Sequence, residues 1–193
     1  GGIILTDSKE DVEEMKILRN YGRAGEFGSS VIIRDSSNFR MTEMQAALGV
    51  EIMKVWDKIL RHRRMIAKVY DDIFQDAGLS TVHPIAFRGR SNYYRYIMLA
   101  GRFPDAENAR RIRDIIETKL SEKGIKTAGK VYDLPIPHQP IYKGRSFYYV
   151  RYPVSEFYTN SHLCLPLHLK MDEEDAKYVA EELIKIDREV SRK

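Results

Sequence analysis

The sequence predicts an α/β chain whose larger, C-terminal part is a small α+β layer, a short sheet packed with helices. Three observations carry this. Aromatic and branched residues crowd into short runs at Tyr93–Ala100 and Leu163–Leu167, as strands require. Apolar residues recur every three or four positions in Ile112, Ile115, Ile116 and Leu120, and again in Ala176, Val179, Leu183, Ile186 and Val190, as on one face of a helix. From Leu79 onward the two kinds of run alternate as strand, strand, helix, strand, helix, strand, helix.

Taken in order, Gly2 to Thr6 is an isoleucine-rich run that reads as a buried strand in need of neighbours. Ser8 caps a helix with Asp11 three positions on, acids fill its first turns, and Val12, Met15 and Leu18 form its apolar stripe. The helix should end near Asn20, with Gly22 in the left-handed C-terminal position. Arg23 to Ser37 reads as a long irregular loop with at most one short strand at Val31–Ile33. Asp35-Ser36-Ser37-Asn38 is a polar turn, and Thr42 with Gln45 forms a capping box for a helix running to about Gln75.

That helix carries an apolar face from Met44 to Ile73, and its length predicts a kink or break near Val55 to Lys58. Ala46, Ala47 and Gly49 keep its first turns narrow, which suits either a close subunit interface or a lean core helix. Gly78 stops it. Leu79 to Phe87 can hold a strand before a turn at Arg88-Gly89-Arg90-Ser91-Asn92. Pro104-Asp105 opens the next helix and Gly124 ends it. Ile125 to Tyr132 reads as a strand interrupted by Gly129, followed by Asp133 to Pro140, where three prolines predict a stiff, extended backbone. Pro153 starts a helix to about Ser161, and Asp172 caps the last one.

Composition narrows the function classes. With 32 basic against 28 acidic residues the net charge is +4, a mild excess that does not call for nucleic acid. One cysteine, Cys164, allows no internal disulfide, and no apolar run approaches the ~18 residues of a membrane span. The expected location is cytoplasmic, with no membrane partner. The histidines at 62, 83, 138, 162 and 168 show no paired metal spacing, so no metal site is predicted.

One stretch stands out chemically. A polar bend, Arg40 and a helix N-terminus together offer amide, guanidinium and backbone N–H donors, a suitable site for an anion, although many capped helices follow a polar loop and bind nothing. The densest basic run, Arg61-His62-Arg63-Arg64, together with Arg88, Arg90 and Tyr93–Tyr96, reads either as the solvated face of an amphipathic helix or as an RNA-binding patch.

Asn38-Phe39-Arg40-Met41-Thr42-Glu43-Met44-Gln45-Ala46-Ala47-Leu48-Gly49 resembles a signature of the DegT/DnrJ/StrS-type family of pyridoxal-phosphate (PLP) sugar aminotransferases, found where the large domain passes into the small one. Four other segments resemble the family in its order: Gly1 to Thr6, Leu18-Arg19-Asn20-Tyr21-Gly22-Arg23, Pro137-His138-Gln139-Pro140-Ile141-Tyr142, and Cys164-Leu165-Pro166-Leu167-His168. The resemblance implies the C-terminal portion of a transferase of fold type I, with residues 1–55 ending the large cofactor-binding domain and 56–193 forming the small domain. It implies PLP as cofactor, a nucleotide-linked keto-sugar and an amino acid as substrates, and a homodimer.

By the same resemblance Asn38 reaches across the dimer to the partner's PLP phosphate, and Arg40 either contacts that phosphate or braces the loop. His138 and Tyr132 are implied at the substrate, while Tyr142 is read as packing. Tyr21 stands where the family has histidine, and Arg23 is read as binding the carbonyls that end the preceding helix. No lysine in this sequence matches the family's imine-forming one, so no catalytic residue is nominated, this portion alone is expected to be inactive, and whether it holds PLP by itself is left open. The rival assignments are a non-catalytic subunit or regulator with the small-domain fold, and the RNA-binding module.

Overall fold

The computed structural model describes residues 2–24, 31–85 and 91–192. Gly1, positions 25–30 of the predicted loop, the end of the predicted 79–87 strand, and Arg88 and Arg90 of the basic patch lie outside the described residues. The chain divides into two compact units, Gly1–Asp57 and Lys58–Lys193.

In the first unit, α1 spans Lys9–Arg19, with the Ser8 hydroxyl accepting from the Asp11 amide at 3.1 Å as the cap predicts. Past Asn20, the Gly22 amide donates to the Ile17 carbonyl at 3.0 Å. Gly22 has φ +68°, and a Cβ there would fall 1.8 Å from the Arg34 carbonyl oxygen. Only glycine fits this bend. The Gly22 carbonyl then accepts from the amides of Ile33 at 2.8 Å and Arg34 at 3.2 Å, so the returning loop is zipped onto the end of α1.

α2 spans Glu43–Gln75 and opens with the predicted capping box: the Thr42 amide donates to Gln45 Oε1 at 2.9 Å and the Gln45 amide to Thr42 Oγ1 at 3.3 Å. Helix is assigned without interruption through positions 55–58, where a break was expected. One further expectation fails in this unit. The Gly2–Thr6 run is not a strand and Ile3, Ile4 and Leu5 are exposed, because among the described residues no strand lies beside it to take its backbone hydrogen bonds. The apolar face of α2 is likewise uncovered at Met44, Leu48, Ile52 and Val55, and burial on this helix starts at Ile66.

The second unit holds a three-stranded antiparallel sheet in the order β1 (Val82–Pro84), β2 (Tyr96–Ala100), β3 (His162–Leu165). Val82 faces Ala100, and Met98 faces Leu163 on the other side. β2 starts later than its aromatic run suggests. Tyr93 takes φ +44°, and the amides of Tyr93 and Tyr94 donate to the Ser91 and Asn92 side chains, each at 3.0 Å, so the residues before Tyr96 form a turn. Three helices complete the layer: α3 (Ala106–Glu122), α4 (Pro153–Ser161) and α5 (Glu173–Ser191). α5 opens on a capping box between Asp172 and Asp175.

The core gathers Ile66, Tyr70 and Phe74 with Ile116, Leu120, Leu163 and Leu183. Tyr70 stacks on Phe74, their rings 5.9 Å apart, and its hydroxyl donates to the Pro166 carbonyl at 2.8 Å, so the one polar atom that this ring buries is satisfied. Two segments differ from expectation. Residues 125–132 form no strand and make one backbone–backbone bond to the sheet, the Ala128 amide to the Cys164 carbonyl at 2.9 Å; Gly129, at φ +71°, then turns the chain away. The proline-rich stretch is not extended but folds into short 3₁₀ turns at Ile136–His138, Pro140–Tyr142 and Ser146–Tyr149. Proline at the first turn of a helix loses no hydrogen bond and is already set at a helical φ.

Asp187 fastens α5 to the start of β1. Its carboxylate, almost fully buried, accepts from the Ser80 amide at 2.9 Å and hydroxyl at 3.2 Å, and from the Thr81 amide at 2.8 Å and hydroxyl at 2.5 Å. Burial pushes this acid up, but the four donors outweigh it and hold it below the ordinary aspartate value.

Asp187→Ala leaves four donors without a partner and should cost roughly 2–4 kcal/mol in urea unfolding. Because the folded acid is depressed, its stabilisation in the wild type is fully present above about pH 4, the ordinary aspartate value, and is lost as pH falls through the lower folded value. Unchanged unfolding at neutral pH would refute this role. Gly22→Ala should cut hydrogen-exchange protection at the Ile33 and Phe39 amides about tenfold or more, with α5 unaffected.

Candidate functional site

The bend and the helix start lie together in the first unit. The Phe39 amide donates to the Arg19 carbonyl at 3.0 Å and the Tyr21 amide to the Ser37 carbonyl at 3.1 Å, while Ser36 Oγ donates to the Leu18 carbonyl at 2.6 Å. The 36–40 segment is therefore pinned along the turn that ends α1. Asn20 and Asn38 form the bridge between them.

Asn38 and Arg40, the two residues nominated for an anion, are brought together. Asn38 Oδ1 accepts from the Arg40 amide at 3.2 Å and from Arg40 Nε at 3.1 Å. Both bonds fall on the oxygen, so the amide group is oriented with its two Nδ2 hydrogens pointing away from Arg40 and available as donors. Both residues are exposed.

Sequence reasoning missed the second cation. Arg23 was expected to bind the last carbonyls of α1; instead its guanidinium lies over the Tyr21 ring, 5.1 Å from the centroid, and Arg40 lies 5.6 Å from the same centroid. Arg23 Nε is buried and, among the described residues, has no hydrogen-bond partner. No carboxylate pairs with Arg23 or Arg40 among the described residues, whereas Arg34 in the same loop is neutralised by Glu14 at 2.6 Å. Tyr21 itself has φ +61°, a left-handed position unusual for an aromatic residue. The only signal in the sequence was tyrosine standing where the resembled family carries histidine.

The other nominated residues lie in the second unit. His138 Nε2 is 2.9 Å from the Val150 carbonyl, and since a carbonyl can only accept, Nε2 carries the hydrogen. In the tautomer that carries its hydrogen on Nε2, Nδ1 is the acceptor. Tyr152 and Tyr148 pack around it with ring separations of 5.6 and 6.1 Å. Tyr152 is placed by Glu156, which accepts from its amide at 2.9 Å and pairs with Arg151 at 2.6 Å. The Arg151 guanidinium, with the Tyr152 amide, holds the Glu156 carboxyl below its ordinary value.

Tyr132 is exposed and lines a shallow groove of 220 Å³ with Val131, Leu99, Tyr158 and His162. His162, which sequence reasoning did not nominate, is buried; its Nε2 accepts from the Val131 amide at 2.8 Å and its Nδ1 donates to the Tyr158 carbonyl at 2.8 Å, fixing the chain beside Tyr132. No hydrogen bond or ring contact joins His138 to Tyr132 among the described residues. Tyr142 packs edge-on against Phe147, with ring centroids 5.4 Å apart, the structural role expected of it.

A phosphate ester is the anion whose chemistry this first-unit cluster suits. It offers an amide N–H pair and, among the described residues, two guanidiniums free of carboxylates and one buried N–H without a partner, donors fitted to a dianion's several oxygens. Among the described residues no group of three or more His, Cys, Asp or Glu side chains could hold a metal, and no helix is long and apolar enough to cross a membrane.

The chain is 27% identical over 190 residues to a pleiotropic regulatory protein of Geobacillus stearothermophilus, covering 97% of this chain and 47% of that protein. It is 26% identical over 187 residues to a UDP-4-amino-4,6-dideoxy-N-acetyl-beta-L-altrosamine transaminase of Helicobacter pylori, covering 96% and 48%. The chain thus spans about half the length of the curated relatives it matches. Among solved structures, a Streptococcus pneumoniae protein in its PLP form is 26% identical with a TM-score of 0.74, over 98% of this chain and 46% of that one. Helicobacter pylori PseC, at 24% identity, a TM-score of 0.76, and coverage of 95% and 48%, shares the fold. With the family's model matching residues 1–184 as well, the chain belongs to the DegT/DnrJ/EryC1/StrS aminotransferase family.

Proposed function

We propose that this chain is the C-terminal half of a PLP-dependent aminotransferase that moves an amino group from an amino acid to a nucleotide-linked keto-sugar, working as a cytoplasmic homodimer. Residues 1–55 would end the cofactor-binding domain and 56–193 form the small one. Family membership, a relative named as a UDP-sugar transaminase and a structural neighbour in a PLP form support this reading. The observation that carries it is the Asn38–Arg40 pair, whose hydrogen bond turns the Asn38 amide hydrogens outward beside a capped helix start.

PLP, when bound, supplies the electron-accepting ring that amino transfer needs. The contribution of this chain is positional. Asn38 would donate its Nδ2 hydrogens, and Arg40 its guanidinium, to the phosphate of the cofactor held mainly by the partner subunit. Arg40 would fill both roles, its Nε bracing Asn38 and its terminal N–H groups donating to the phosphate. His138, kept by Val150 with Nδ1 as the acceptor, would receive a hydroxyl hydrogen of the sugar, and Tyr132 would wall the substrate side of its groove. A non-catalytic regulator is the second reading, favoured by the relative named as a pleiotropic regulatory protein.

In a dimer containing the upstream half, Asn38→Ala should weaken PLP about ten- to a hundredfold, the loss expected for hydrogen bonds to a charged group, read as retention of cofactor absorbance after gel filtration. Unaltered retention would remove the cross-subunit role. His138→Ala and Tyr132→Ala should each raise KM for the nucleotide sugar about tenfold, the effect of one lost polar contact, with PLP retention unchanged. A joined protein that holds PLP and transfers no amine from any amino acid would favour the regulator.

A further inference from the structure

Two guanidiniums that share one aromatic ring and, among the described residues, pair with no carboxylate require an explanation. Arg23 and Arg40 lie 5.1 and 5.6 Å from the Tyr21 centroid, and their like charges repel unless something between them is negative. The nearby Arg34 shows the ordinary solution, an ion pair with Glu14. Arg23 adds a buried Nε–H with no partner among the described residues, an arrangement that costs free energy unless a ligand repays it. Tyr21 adds backbone strain: an aromatic residue at φ +61° is tolerated only where its surroundings hold it there. The strain fits a ring that is needed in one place.

We propose that Tyr21 is a positioning residue, a platform that aligns Arg23 and Arg40 so that both, with the Asn38 amide, grip one phosphate dianion. The proposal rests on the phosphate reading of Asn38 and extends it in two ways: Arg23 becomes a second cationic ligand, and Tyr21 supplies through its ring face what a hydrogen-bonding side chain would supply otherwise. The ring, and not the hydroxyl, is the working part. That separates this role from a polar one.

The test is isothermal titration of the full chain with inorganic phosphate at low salt, beside thermal melting of each variant. Tyr21→Phe keeps the ring and should bind as the wild type does. Tyr21→Asn removes the ring but suits the left-handed backbone, so it should melt no lower than the wild type while binding phosphate about three- to tenfold more weakly. Arg23→Gln should lose at least as much affinity as Tyr21→Asn. Phosphate affinity undiminished in Tyr21→Asn or in Arg23→Gln, with Asn38→Ala still weakened, would overturn the platform and leave the Asn38 reading standing. Equal binding by Asn38→Ala and all the others would sink both.

Discussion

Gly22 can lie against the Arg34 carbonyl only because it has no Cβ, and that close approach sets everything around the candidate site. The carbonyl of Gly22 holds the loop at Ile33 and Arg34, and the residues on either side of it, Tyr21 and Arg23, are thereby turned toward the segment that carries Asn38 and Arg40. A short backbone contact thus converts two stretches some 15 residues apart into one cluster of donors. The helix that follows needs no such help, since Thr42 and Gln45 close its first turn from within. The end of α1, bonded to the 36–39 segment through Leu18 and Arg19, and the capped start of α2 flank the bend and hold its backbone.

In the second unit the same economy applies to a different material. Aromatic rings of Tyr70, Phe74 and Tyr96 fill the space between helix and sheet, and each buried hydroxyl finds an acceptor, Pro166 for Tyr70 and Asp71 for Tyr96. Burial, joined for Tyr96 by the hydrogen bond to Asp71 and for Tyr70 by the Asp175 charge, raises both phenols well above the ordinary tyrosine value, so they stay neutral donors. Asp187 and His162 serve as fasteners, each holding the backbone of a segment that has too few sheet bonds to hold itself. The His138 loop is built on the same plan, with Glu156 fixing Tyr152 and Tyr152 packing the imidazole. Polar side chains satisfied by backbone groups, more than ion pairs at the surface, give this unit its fixed loops.

Much of this was legible beforehand, for a local reason. Caps at Ser8, Thr42 and Asp172 are decided within four residues, and the helices they open begin where the sequence places them. α4 runs from Pro153 to Ser161 as predicted, because proline at the first position and the following strand residues mark both ends. Asn38 and Arg40 were legible as a pair for the same reason, being two residues apart in one bend. The misplaced strands fail for a nonlocal reason. The isoleucine run at Ile3–Leu5 and residues 125–132 have strand composition, but a strand exists only where a neighbour accepts its hydrogen bonds.

By itself the sequence determined where helices start, which residues form the α+β core, and that a polar bend with amide and guanidinium donors precedes α2, since these follow from spacing and short-range hydrogen bonding. Only the tertiary structure decided that Arg23 joins Arg40 over Tyr21, that His138 is held in one tautomer by Val150, and that His162 fixes the chain beside Tyr132. Those outcomes depend on chain segments meeting after folding. Residue type says what a side chain can donate or accept, and the fold says to what.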